Sequence, residues 1–319
     1  MIYLPKREIE LPSIELPRAR VAGVFTLIAK KADGTQRKLA EFENLVTDAG
    51  LNRMGIGAFR DVCVVGTGSN APTVADAQLQ STTARTSSGA PSTPGNTAQS
   101  SPPYYGQGSA GFRFNVGTAA GNLTEVGIGW SLGPNLLDYA LFARALIKDE
   151  LGNPTSVTVL SDEVLDVYYA LRIYPPTVDA TYSINISGDS YDCITRAANV
   201  TSSSHWFVHS GRVLFTSLPG GAGVGTYNGT IGTITGQPSG VSQFFSGPSI
   251  SNLAYSNNSL QQDATFNWNL DQGNVAGGIR SVYYQTHVGA YQTQFTPAIP
   301  KDATKVLSVT FRVGWARRP

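Results

Sequence analysis

Few side chains in this sequence have the type and spacing for chemistry, and each set falls short of a known site. His205 and His209 stand four apart in SSHWFVHSG. On a helix that spacing would aim two imidazoles at one metal ion. Here the run reads as a strand, which puts the two rings about 13 Å apart, and neither has a Glu beside it. They read as surface or groove histidines, and His287 has no motif around it. Residues 220–225, GGAGVG, have the glycine content of a phosphate loop but lack the closing Lys-Ser/Thr and a following helical period. No G-x-S-x-G turn advertises a serine nucleophile. Asp162 with Glu163, and Asp189 with Asp192, are acid pairs in or near turns. A glycosidase needs two carboxylates across a cleft, whereas acids in turns ordinarily serve the turn. No catalytic, metal or cofactor residue is therefore expected.

Binding is the stronger lead. Tyr104, Tyr105, His205, Trp206, Tyr227 and Tyr255 lie in or beside polar, Gly-rich segments. Aromatic rings among Asn, Ser and Gln suit carbohydrate or protein grooves, although each ring can also tuck into its own core. The second set is apolar. Residues 8–12, EIELP, are nearly repeated by 13–17, SIELP, which places Ile9, Leu11, Ile14 and Leu16 on an extended arm. Proline at every fifth position forbids a helix. Two readings stay open for the arm: docking on a neighbouring subunit, or folding onto its own domain.

The elements that position these residues are strands. Of the 319 residues, 41% are hydrophobic and only 14% charged, with 34 Gly and 18 Pro. That composition describes a packed core built of many short strands joined by turns. The formal net charge of +1 gives no general pull toward nucleic acid or an anionic membrane. No apolar run reaches the ~20 residues that span a bilayer, and no secretory pattern opens the chain. Cys63 and Cys193 sit in strand-like runs and are expected as buried free thiols. Thr47 or Asp48 can cap a short helix ending near Gly55. Residues 136–147, LLDYALFARALI, suit either period and are read as strand because strands surround them.

The expected fold is all-β, with two β-sandwich-like domains and an extended Pro-rich N-terminal arm. The arm covers residues 1–18. The first domain runs over 19–176, with an exposed, mobile low-complexity loop at 87–103. The second covers 177–319, after Pro175-Pro176. An internal echo suggests duplication. Residues 142–149, FARALIKD, align with 295–302, FTPAIPKD; each is followed by an alternating strand, VLDVY at 164–168 and VLSVT at 306–310.

The stretch NLVTDAGLNRMG at 44–55, followed by VGTGSNAPTVADAQLQ at 65–80, resembles the opening domain of tail-associated structural proteins of tailed bacteriophages. EVGIGW, LFARALIKD and LDVYYALRIYPP look like the rest of that domain, and GAYQTQFTPAIPKDATKVLSVTFRVGWARRP is similar to the ends of such proteins. Residues 177–277 match no part of the pattern. The resemblance implies a non-enzymatic virion component of a tail, baseplate or fibre, made in the host cytoplasm and carrying no cofactor. It implies self-association, often as a homotrimer, and other virion proteins as partners. A bacterial surface glycan, pilus or outer-membrane receptor would be the contact if the protein reaches the host; neither nucleic acid nor membrane insertion is implied. Residues 67–78 would then be a loop offered to a neighbour. Two alternatives stand beside this: a carbohydrate- or receptor-binding adhesin module, and a capsule or lipopolysaccharide depolymerase.

Overall fold

The computed structural model describes residues 13–206, 211–216, 224–243 and 247–319. The first half of the chain forms β1 (Ser13–Glu15), β2 (Ala19–Lys30), β3 (Gln36–Glu43), β4 (Leu45–Val46), helix α1 (Asp48–Arg53), β5 (Val62–Gly66), β6 (Thr82–Thr86), β7 (Thr97–Ala98), β8 (Gly106–Phe114), β9 (Gly121–Leu123), β10 (Glu125–Ser131), β11 (Tyr139–Leu146), β12 (Val157–Val159) and β13 (Val164–Tyr174). The second half forms β14 (Ala180–Ile186), β15 (Asp189–Ala198), β16 (Phe215–Thr216), β17 (Gly225–Tyr227), β18 (Ser242–Gln243), β19 (Ser249–Asn252), β20 (Gln261–Trp268), β21 (Ile279–Thr286), β22 (Gly289–Ile299) and β23 (Leu307–Arg317). The protein is all-β and sandwich-like.

Alternation builds the strands. Along β13, Leu165, Val167, Tyr169, Leu171 and Ile173 are buried while Tyr168, Ala170 and Arg172 are half-exposed, the period of two that a pleated strand imposes. The inward rows meet across the layers. Phe142 of β11 lies edge-on to Tyr169 of β13 at 6.3 Å between ring centres. In the second half, Tyr284 of β21 stands 5.8 Å from Phe266 of β20 and 4.7 Å from Phe311 of β23.

The two halves repeat one strand plan. The first has a sheet ordered β4-β11-β10-β5-β6, facing one in which β7, β8 and β13 are consecutive neighbours. The second has β15-β22-β21-β17-β18, facing β19, β20 and β23. Chain order matches as well, and the echoed residues occupy matching strands: Phe142 in β11 and Phe295 in β22, Ile128 in β10 and Ile279 in β21. The difference lies beside the last strand. β13 is flanked by β2, which is hairpinned to β3, whereas the corresponding edge of β23 takes β1 and the start of β2 in parallel. Residues 19–21 pair with 315–317, so a single sheet crosses the boundary expected at 176.

Two expectations change. Ile14 and Leu16, offered as contacts for a neighbour, are buried in the chain's own core because β1 completes β23. Ile9 and Leu11 lie outside the described residues. Residues 87–103 are largely exposed but tethered rather than free. Gly111 O accepts from Ala90 N at 3.0 Å, Ser88 O from Arg113 N at 2.8 Å, and Pro91 O from the Tyr168 hydroxyl at 3.2 Å. The open edge of β8 supplies that ladder. The helix cap is Thr47: its Oγ1 accepts from Gly50 N at 2.9 Å and donates to Leu141 O at 2.7 Å. Gly50 is required, since a Cβ there would run into the Phe142 carbonyl. Cys63 and Cys193 are free and buried.

Acid tolerance is set partly by Glu163. Arg37 grips its carboxylate with two bonds, Nε at 3.0 Å and an Nη at 2.7 Å, and Leu160 N donates at 2.8 Å. The Arg37 bonds, aided by that amide and opposed by burial, hold the carboxyl down at about 2. A depressed folded value stabilises the fold above the unfolded value of about 4.3, and that contribution is lost as pH falls toward about 2. The urea midpoint should drop between pH 5 and 2, and the drop should be shallower in Glu163→Gln. Identical slopes in the two proteins would refute this account.

Candidate functional site

The aromatic residues singled out from the sequence mostly face inward. Trp206 is fully buried, its indole N–H donating to Ala198 O at 2.8 Å and its ring centred 5.8 Å from Tyr291. Tyr227 is buried on the outer face of its sheet with Ala198, Tyr283 and Ala290, and burial raises its hydroxyl to about 12. Tyr255 stacks on Trp315 at 5.9 Å and donates to Asn52 Oδ1 at 2.9 Å, which ties the second half to α1. Tyr104 is half-buried against the core. His205 Nδ1 lies 2.8 Å from Ser202 Oγ, and burial lowers its pKa. His209 lies outside the described residues. Trp206 and Tyr227 are therefore withdrawn from any receptor face. The described part of the run expected as a strand, through Trp206, is instead a turn, with His205 N and Trp206 N both bonded to Ser202 O, and the turn carries the indole inward; Tyr227 lies on β17.

The polar loop 67–81 is likewise held by its own chain. The Glu125 carboxylate is completely buried and accepts from Gly68 N at 2.9 Å, Ser81 N at 2.8 Å and Gln80 N at 3.2 Å. Arg144 donates to Glu125 at 3.0 Å, to Asp76 at 2.6 Å and to Asn70 O at 3.0 Å. This lattice folds the loop over Val62, Val64, Tyr139 and Leu141, with Leu79 beneath it.

Three of the four singled-out acids are separately engaged. Glu163 is held by Arg37, Asp162 lies 3.3 Å from Lys31, and Asp192 accepts from Ser183 at 2.7 Å. Among the described residues no three His, Cys, Asp or Glu side chains gather as metal ligands would, and no helix is long and apolar enough to cross a membrane.

One surface does combine aromatic faces with unneutralised charge. Arg172 lies 4.7 Å over the ring of half-buried Tyr105, Tyr105 is 5.4 Å from Tyr174, and Arg318 caps Tyr174 at 4.0 Å. Arg172 is steered by a 2.9 Å bond to Gln107. Arg318 also lines a cleft of about 550 Å³ with Glu43, Asn44, Arg144 and Lys148. A second cleft of about 590 Å³ shares Lys148 and runs past Leu39 and Glu41 of β3. Among the described residues β3 pairs only with β2, so its outer edge is open, and neither Lys148 nor Arg318 has a carboxylate within ion-pair reach.

Each guanidinium already rests on a ring face, a contact of roughly 0.5–1 kcal/mol where exposed, so an acidic group would meet the free edges of the guanidiniums and Lys148 in the cleft. Of the ladder's members the sequence reading named only Tyr105. The even-numbered parity of Arg172 and Tyr174 on β13 was a usable signal for a shared face. Their approach to Tyr105 and Arg318 was not, because it depends on where β8 and the end of β23 lie. No family model, no curated protein and no solved structure matches this chain.

Proposed function

We propose that the chain is a non-enzymatic structural component of a tailed-phage particle, associated with the tail, baseplate or fibre and assembling as a homo-oligomer. The identification rests on the resemblance carried by residues 44–80 and by the C-terminal segment. The observation that best supports it is the use made of buried charge. Glu125, Glu163 and Asp166 are all buried, and each is gripped by an arginine from another strand or loop. Carboxylates so held maintain loop shape. A rigid, loop-rich surface is what a virion protein presents to its neighbours.

The Tyr105–Tyr174 ladder and its adjoining cleft favour a second reading, contact with a bacterial surface glycan or receptor. The depolymerase reading has no comparable support, since three of its four candidate acids are tied to separate partners.

One experiment addresses both readings. Particles carrying Tyr105→Ala should contain the chain at wild-type stoichiometry. Their adsorption should fall about 2–10-fold, the loss expected from one aromatic contact of about 0.5–1.5 kcal/mol. Absence of the wild-type chain from purified particles would overturn the structural reading, and unchanged adsorption of the variant would overturn the receptor reading.

A further inference from the structure

Strand β14 ends its sheet, and among the described residues only β15 pairs with it. Its sequence, ATYSINI, holds no charge, no proline and no glycine, and it matches β15 at every position without a bulge. Sheets ordinarily blunt such an edge, because its unpaired N–H and C=O groups accept another strand. The other outermost strands show the devices. β3 has a bulge with Arg37, Lys38, Glu41 and Glu43, β6 has a bulge with Arg85, and the rest among the described residues run to four residues or fewer. β1, in the facing sheet, approaches β14 but bonds to β23.

The hairpin turn fixes which groups on β14 are free. Ser187 and Gly188 both have positive φ, 53° and 95°, which is the two-residue turn closing on Ile186 opposite Asp189. The pair flanking such a turn exchanges both of its main-chain bonds, and bonded pairs then alternate along the strand. Ile186, Ile184, Tyr182 and Ala180 thus bond to β15. Asn185, Ser183 and Thr181 turn their N–H and C=O groups away from it. Side chains alternate with the same period: Ile184 is buried and Tyr182 and Ile186 are half-buried, whereas Thr181, Ser183 and Asn185 are exposed.

An antiparallel neighbour on this edge has two rules to meet. It must set inward residues opposite inward residues, and free amides opposite free amides. A second β14 meets both when it runs alongside about a two-fold axis through Ser183. Ser183 then faces the partner's Ser183, Thr181 faces the partner's Asn185, and Tyr182 faces the partner's Ile184. All three free positions are used, and each facing pair exchanges two main-chain bonds. Moving the axis by one residue loses one of these pairs. The inward apolar row also continues across the junction.

We propose that β14 pairs antiparallel with β14 of a second copy, joining two seven-stranded sheets edge to edge. The occupant is a second copy because the free amides and the apolar positions are both symmetric about Ser183, and the strand has no charge to repel its own image. The contact names an interface for the proposed homo-oligomer and rests on that self-association. Being isologous, it joins copies in twos.

Charges placed by this register test it in the full-length chain. Thr181 and Asn185 lie about 13 Å apart along one strand, so charges on them scarcely meet within a chain. Thr181→Lys/Asn185→Lys should set like charges opposite each other at both ends of the contact and raise the self-association Kd at least about tenfold, read by sedimentation and native mass spectrometry. Thr181→Lys/Asn185→Glu carries as many substitutions but sets opposite charges together, and should stay within about threefold of wild type. Native Cys63 and Cys193 are buried, so Ser183→Cys should give an interchain disulfide under mild oxidation. Asn185→Cys, about 13 Å from its own image, should give at most about one-tenth of that yield. Self-association unaltered by the like-charge variant, equal loss in both charge variants, or equal yields from the two cysteines would overturn this interface while leaving self-association standing. A wild-type chain that stays monomeric up to about 100 µM would overturn both.

Discussion

Arg144→Met is expected to cost about 3–5 kcal/mol of stability, the range for removing one partner of a buried ion pair. The side chains of both Arg144 and Glu125 are almost wholly excluded from solvent, and they meet at 2.8 Å. Without the guanidinium, Glu125 is left as a buried anion with only backbone amides for company, Asn70 O loses its arginine donor, and Asp76 keeps only its bonds from Thr73. The loop over 67–81 should loosen and uncover Val62, Val64 and Leu141. Urea unfolding should show the loss, and amide exchange over 67–81 should quicken more than exchange elsewhere. The double variant Glu125→Gln/Arg144→Met should recover part of the stability, since it removes the stranded charge. A loss under about 1 kcal/mol in Arg144→Met would mean that solvent reaches the pair and that the loop is held by other contacts.

Trp206→Ala should destabilise by a comparable amount, about 3–5 kcal/mol, from lost burial and the cavity left behind. The site has little room to collapse. Gly289, with φ of 120°, passes directly over the indole, and a Cβ there would enter the ring. Gly289→Val should therefore destabilise too, through both the backbone conformation and the clash. Trp206→Phe should fall between wild type and alanine, because it keeps an aromatic ring and loses the bond to Ala198 O. Any adsorption defect in Trp206→Ala should scale with the folded fraction measured in the same sample. Full stability combined with failed adsorption would return Trp206 to the receptor surface. Tyr105→Ala makes the contrast, since its half-exposed ring can be removed without opening the core.

These two predictions depend on residues whose roles were unequally legible. Arg144 sits in LFARALIKD, where alternation marks a strand and gives no hint that a charged member is buried. Its partner Glu125 is 19 residues away, and only the pairing of β10 with β11 brings them together. Trp206 lies among serines and histidines, which reads as surface, yet the indole fills the space under β22. The arm is a third case. Its repeat was visible as spacing, but whether the apolar pair met a neighbour or its own chain depended on a vacant edge of β23.

Local rules carried the remainder. Period-two alternation gives β13 and β23 from their residues alone, Thr47 caps α1 by a bond reaching three residues, and turn-forming Gly and Pro mark where strands stop. The echo between 142–149 and 295–302 reflects two strands doing the same work in repeated sheets. All of these are short-range, because backbone geometry and side-chain direction are settled within a few residues. Which edges pair, which polar groups are buried with a partner, and which aromatic rings meet solvent are choices among distant segments competing for the same volume and the same unpaired N–H and C=O groups. Those were decided when β2 joined β23 and drew the two halves into one continuous core.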